Sequence, residues 1–105
     1  MKIHLYKVFD LKDINDYGES PMDCCSIMTD KDLREKFLWE YNNGKIPEQL
    51  IVDYQTDPDY KADNWNDMCN LRIGTMVDML NDIQNYDTES GYYILETDVE
   101  IKIKD

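Results

Sequence analysis

The two ends of this chain alternate between apolar and polar residues, and the stretch between them does not. Residues 92–104 place Tyr93, Leu95, Thr97, Val99, Ile101 and Ile103 on one side. Tyr92, Ile94, Glu96, Asp98, Glu100, Lys102 and Lys104 fall on the other. A period of two marks a half-buried antiparallel strand, with the apolar side toward a core and the charged side outward. Residues 2–9 alternate more loosely. Ile3, Leu5 and Phe9 share one face, and His4, Tyr6 and Val8 the other, as in a strand partly covered on both sides. A run of thirteen residues is long for one strand, so a hairpin turning at Thr97-Asp98 is the alternative reading of the C-terminal segment.

Between the ends the period changes to that of helices. Thr29 can cap a helix in capping-box style with Asp32, and Leu33, Phe37, Leu38 and Tyr41 then form one apolar stripe. Asn43-Gly44 stops it, because glycine accepts the left-handed cap conformation. Ile46-Pro47 opens a short segment, IPEQLIVDY, read as a two-turn helix with LIVDY as a short strand the alternative. A second long helix is expected over 64–85. Its stripe is Trp65, Met68, Cys69, Met76, Met79, Leu80 and Ile83, with Asp78 and Asp82 one turn apart on the outer face. Gly74 is its weak point and could admit another backbone. Residues 11–26 and 55–63 read as long acidic loops.

The order strand, helices, strand predicts an α+β fold. The N- and C-terminal strands form a small antiparallel sheet, with two or three helices packed on one face. At 105 residues the chain fits a single domain, 1–105. Two strands make a thin sheet, so a third strand or pairing across a homodimer is plausible.

Charge is the second strong feature. Asp and Glu number 23 against 11 Lys and Arg, a formal net charge of −12. Two blocks carry most of it. Residues 13–30 hold five acids and no base, and residues 48–70 hold six acids and only Lys61. Such self-repulsion needs an offset: solubility, a cation or a basic partner. Part of the excess suits caps and turns, where the short Asp side chain bonds nearby amides.

Several function classes are excluded on these grounds. DPDYKADNWNDM fails as an EF-hand loop: the position counted sixth from Asp57 is Ala62 and the twelfth is Met68. His4, Cys24, Cys25 and Cys69 lack zinc-ligand spacing, so no metal is expected. The adjacent Cys24 and Cys25 rarely bond to each other, and an odd count argues against a disulfide framework, pointing to a reducing cytoplasm. There is no phosphate-cradling glycine pattern and no nucleophile–base motif, so neither an enzyme nor a cofactor is expected. Direct nucleic-acid binding needs a basic surface that this chain lacks. No 18-residue apolar stretch exists, and the first residues carry no signal-peptide core.

A basic protein partner remains. In size, charge and lack of a catalytic motif the chain resembles the small acidic inhibitors that phages and mobile elements direct against nucleases, anti-CRISPR and anti-restriction proteins among them. Immunity proteins against nuclease toxins share that character. The resemblance implies occlusion of the nucleic-acid channel of a nuclease or other nucleic-acid-handling enzyme by DNA mimicry. The contact residues expected are Asp13, Asp16, Glu19 and Asp23 in the first block, then Asp53, Asp57, Asp59, Tyr60, Asp63 and Asp67 in the second. The rival is a structural or assembly domain whose charge only gives solubility.

Overall fold

The computed structural model describes residues 2–11, 25–86 and 91–100. A three-stranded antiparallel sheet runs in the order β2-β1-β3. β1 (Lys2–Asp10) is central, β2 (Cys25–Met28) lies on one side and β3 (Tyr92–Glu100) on the other. Register pairs Tyr6 with Met28 on one flank, and Val8 with Ile94 on the other. Three helices follow β2: α1 (Asp30–Asn42), α2 (Glu48–Thr56) and α3 (Ile73–Tyr86). The α+β class, the pairing of the terminal strands and the helices on one face are as the sequence indicates.

The helices cover one face of the sheet. Tyr6 and Val8 of β1 and Ile94 of β3 are buried there against Leu33 and Phe37 of α1, Leu50 of α2 and Met76, Met79, Leu80 and Ile83 of α3. Each fully buried aliphatic or aromatic side chain contributes roughly 1.5–3 kcal/mol. α3 is the hub, packing on α1, α2 and β3.

α1 begins as its sequence dictates. The Thr29 hydroxyl accepts from the Asp32 amide, and the Asp32 carboxylate accepts from the Thr29 amide. Past its end, Gly44 sits at φ +68°, where a side chain would be strained. The inward stripe is Leu33, Phe37 and Glu40, with Tyr41 left exposed. Glu40 is kept inside by Tyr92, whose hydroxyl donates to it, and by Lys36, whose Nζ lies 3.6 Å away and 4.4 Å above the Tyr92 ring. IPEQLIVDY is helical, and β3 runs unbroken from Tyr92 to Glu100 with no hairpin at Thr97-Asp98.

Four expectations need correction. The long helix over 64–85 starts only at Ile73. Upstream of it, side chains take the backbone for turns. Asn64 Oδ1 accepts from the Asn66 amide, and Asp67 Oδ1 accepts from the Cys69 amide. Such local bonds compete with the helical ladder. Arg34 of α1 holds the result in place by donating to the carbonyls of Cys69 at 2.6 Å and Leu71 at 2.8 Å. Second, Gly74 admits no backbone: a Cβ built there meets nothing within 4 Å. Third, Cys25 and Ser26, read as loop, begin β2, because β1 offers them a free edge.

The fourth concerns β3. Tyr92 and Ile94 face the helices, while Tyr93 and Leu95 face away at 50 % and 41 % exposure. Alternation fixes which residues share a side, and the helices decide which side becomes the core. Here they cover the face of Tyr6, Val8 and Ile94. Beyond their reach the same face turns polar, with His4, Glu96 and Asp98 exposed.

Candidate partner-binding face

α2, the short 3₁₀ turn Pro58–Tyr60 and α3 contain no Lys or Arg. Acids on these elements and their caps are Glu48, Asp53, Asp57, Asp59, Asp78 and Asp82, against two bases beside them, Lys61 after the turn and Arg72 before α3. Packing of α2 on α3 brings several of these acids beside one another, and tyrosines brace them. Tyr86 Oη donates to Asp53 Oδ2 at 2.6 Å, and Tyr54 Oη to Asp82 Oδ2 at 3.1 Å. Tyr60 Oη donates to Asp78 Oδ2 at 2.7 Å. The Tyr54 and Tyr60 rings lie 4.6 Å apart at a 38° tilt, coupling helix and turn. Gln49 adds a bond to Asp53 Oδ1 at 2.8 Å.

These hydroxyls stay protonated. Desolvation, then the bond to Asp78, pushes Tyr60 up to about 12, and the bond to Asp53 pushes Tyr86 up to about 12. Burial and the neighbouring Asp82 raise Tyr54 as well. In return the bonds from Tyr86 and Gln49 hold Asp53 below the ordinary carboxylate range. A carboxylate offers about four lone-pair sites, so one hydroxyl fixes its rotamer and leaves acceptors for an incoming cation. Two shallow clefts flank Tyr60. One, of about 450 Å³, lies among Tyr54, Tyr60, Asp78, Asn81 and Asp82. The other, of about 360 Å³, lies among Asp59, Tyr60, Arg72, Thr75 and Asp78. Among the described residues no group of three His, Cys, Asp or Glu is arranged to hold a metal ion.

The expected contact residues divide accordingly. Asp53, Asp59 and Tyr60 belong to this face; Asp59 is exposed and Tyr60 half-buried. Asp57 begins the turn, its side chain accepting from the Asp59 amide at 2.9 Å. Asp67 is a turn cap, bonded to the Cys69 amide and to Asn70. Asp13, Asp16, Glu19 and Asp23 lie outside the described residues.

Asp63 turns inward. Its side chain is 0 % exposed. It accepts from the Arg72 amide at 2.9 Å, from Arg72 Nε at 3.2 Å and Nη2 at 3.0 Å, and from Thr75 Oγ1 at 2.6 Å. It therefore ties down the residue before α3 and the helix's first turn, through the Arg72 amide and the Thr75 hydroxyl, and pairs with the Arg72 side chain. Burial alone would raise its pKa, but the bonds from Arg72 and Thr75 outweigh that and hold it below the ordinary range. Asp63, expected as a surface contact, is instead a buried carboxylate whose bonds to Arg72 and Thr75 are all internal.

Asp78 and Asp82 lie on this face, bonded by Tyr60 and Tyr54. Their spacing of one helical turn on an outer face was readable in the sequence. Their convergence with Asp53 was not, because it depends on α2 packing beside α3. Tyr86 had no local signal either.

At the far end of the sheet, His4 Nδ1 lies 2.8 Å from Asp98 Oδ1 and Nε2 3.8 Å from Glu96. The hydrogen bond to Asp98 raises the His4 pKa. Among the described residues no helix is long and apolar enough to cross a membrane. Comparison with protein-family models, curated proteins and solved structures finds no match to this chain.

Proposed function

We propose that this chain is a protein inhibitor whose α2–α3 face binds the basic nucleic-acid channel of a nuclease or other nucleic-acid-handling enzyme and occludes it, in the manner of a phage or mobile-element anti-defence protein. The observation that carries the reading is the set of Asp53, Asp78 and Asp82, each fixed by a tyrosine hydroxyl on elements without a single Lys or Arg. Duplex DNA presents about one charge per 1.7 Å of axis to its binding proteins. Asp78 and Asp82, four residues apart on one helix, lie about 6 Å apart in rise, and Asp53, Asp57 and Asp59 extend the array. Prefixed carboxylates lose little rotamer freedom on binding, which favours affinity. Long-range attraction between an acidic face and a basic channel makes association fast and salt-sensitive.

The test is capture of nucleic-acid enzymes from a defined panel on the immobilised chain, at about 0.05 M and about 0.5 M salt. An enzyme captured at low salt, released at high salt and lost with Asp78→Lys/Asp82→Lys is the expected result. Capture indifferent to both salt and the substitutions rules out electrostatic mimicry.

A further inference from the structure

β3 lies at an edge of the sheet, and its outward side is closed only at the start. In an antiparallel strand each residue turns its N–H and C=O together to one side, and successive residues alternate. Leu11 donates to the Gly91 carbonyl at 3.1 Å across the β1–β3 pair. By alternation Tyr93, Leu95 and Thr97 bond β1, while Ile94, Glu96 and Asp98 turn outward. The Ile94 amide has the same phase: it donates away from β1, to Asn81 Oδ1 of α3, at 2.7 Å. That bond closes the first outward position. Past it, no strand among the described residues pairs with the outward groups of Glu96 and Asp98. The side chains of Glu96 and Asp98 stand exposed on one face of this edge, beside His4. Tyr93 and Leu95 stand exposed on the other.

We propose that this edge of β3 takes up an extended segment of another protein, antiparallel, in which basic residues alternate with apolar ones. An open edge offers backbone donors and acceptors to any strand, so the side chains select the occupant. Residues that exchange both bonds across an antiparallel pair lie about 5.5 Å apart at Cα and point to the same face. Those opposite Glu96 and Asp98 therefore meet carboxylates. Opposite charges stabilise such a pair and like charges oppose it. A second copy of β3 would set Glu96 against Asp98 within the described residues, whereas Lys or Arg complements both. His4 Nδ1 lies 2.8 Å from Asp98 Oδ1, and Nε2 3.8 Å from Glu96 Oε2. A carboxylate has about four lone-pair sites, so both acids keep acceptors for an incoming cation. The residues between fall on the side of Leu95 and Tyr93, where valine or isoleucine covers exposed apolar surface. Antiparallel pairing is also the stronger of the two per residue. This edge is separate from the α2–α3 face and takes its strand whether or not that face binds an enzyme.

A peptide of about seven residues alternating lysine with valine is the probe, titrated into the full chain and followed by amide resonances and hydrogen exchange. The Glu96 and Asp98 amides are expected to shift and to exchange about tenfold more slowly, while that of Thr97, already bonded to β1, changes little. The counterpart alternating glutamate with valine is expected not to bind, and Glu96→Lys/Asp98→Lys to weaken the lysine peptide about tenfold with unchanged circular dichroism. N-methylation isolates the backbone bonds at constant charge, on the unaltered protein. In antiparallel pairing the lysine amides face the edge, so methylating them abolishes binding, and methylating the valine amides leaves it intact. Two methylated peptides that bind alike reduce the effect to diffuse attraction toward a chain of −12 and overturn the proposal. So does a peptide that shifts the α2–α3 amides and leaves Glu96 and Asp98 unmoved. Protection of Glu96 and Asp98 that grows with concentration in the peptide-free chain gives the edge to a second copy and overturns it equally.

Discussion

The α2–α3 surface and the far face of the sheet are opposites in chemistry. The first carries Asp53, Asp78 and Asp82 braced by tyrosines, with no base on its elements. The second carries Leu5, Phe9, Ile27, Tyr93 and Leu95 around a single Lys7. Among the described residues, one surface gathers carboxylates and the other is free of them.

A third location sharpens the contrast, because Asp63 has the same side chain as Asp78 and the opposite role. Asp63→Ala removes a buried carboxylate at the start of α3 and leaves Arg72 and Thr75 without that acceptor. It is expected to cost about 3 kcal/mol in urea unfolding, the largest stability effect among these acids. A stability unchanged within about 0.5 kcal/mol would break the division between structural and available carboxylates. Asp78→Lys/Asp82→Lys comes next. It is expected to weaken partner binding about 100-fold, or about 2.7 kcal/mol, while stability falls by about 2 kcal/mol, because the Tyr60 and Tyr54 hydroxyls both lose their carboxylate acceptors. Binding titrations beside urea melts read both quantities.

Smaller effects follow from single groups. Tyr60→Phe deletes the donor to Asp78 and keeps the ring against Tyr54, so about 1 kcal/mol of stability is lost and affinity falls a few-fold. Asp63 has a depressed folded-state pKa. Its contribution is present above the ordinary Asp value of about 3.9 and is lost as pH falls through the folded value. Acid unfolding of the wild type is therefore expected to begin below about pH 4, and Asp63→Asn to flatten that limb. His4 runs the other way. Its raised pKa gives a contribution that is complete below about 6.5 and is lost as pH rises through the folded value. A slight fall in melting temperature above neutrality, absent in His4→Gln, is the measurement.

Local signals in the sequence located most elements. The Thr29 capping box, the helical IPEQLIVDY and the terminal strand pair were readable because each depends on neighbours in the chain. What depended on tertiary packing was not. The period of β3 grouped Tyr93 with Leu95 correctly, but the helices cover the other side, a choice no strand makes for itself. The stripe from Trp65 to Cys69 imitated a helix, whereas Asn64 and Asp67 had already bonded the backbone into turns. Among the candidate contacts, acidity alone could not distinguish Asp63 from Asp59. One meets Arg72 and Thr75 in the interior, and the other stays at the surface. Asp78 and Asp82 were visible as a pair, while the tyrosines that orient them come from segments 18 and 28 residues away.

DNA mimicry is tested most directly by competition. With an enzyme captured by the chain, labelled duplex DNA is titrated against wild type and against Asp78→Lys/Asp82→Lys. Mutually exclusive binding is expected, with the wild type displacing DNA at low salt and the variant failing to do so. A ternary complex in which the enzyme holds DNA and this protein together would contradict it.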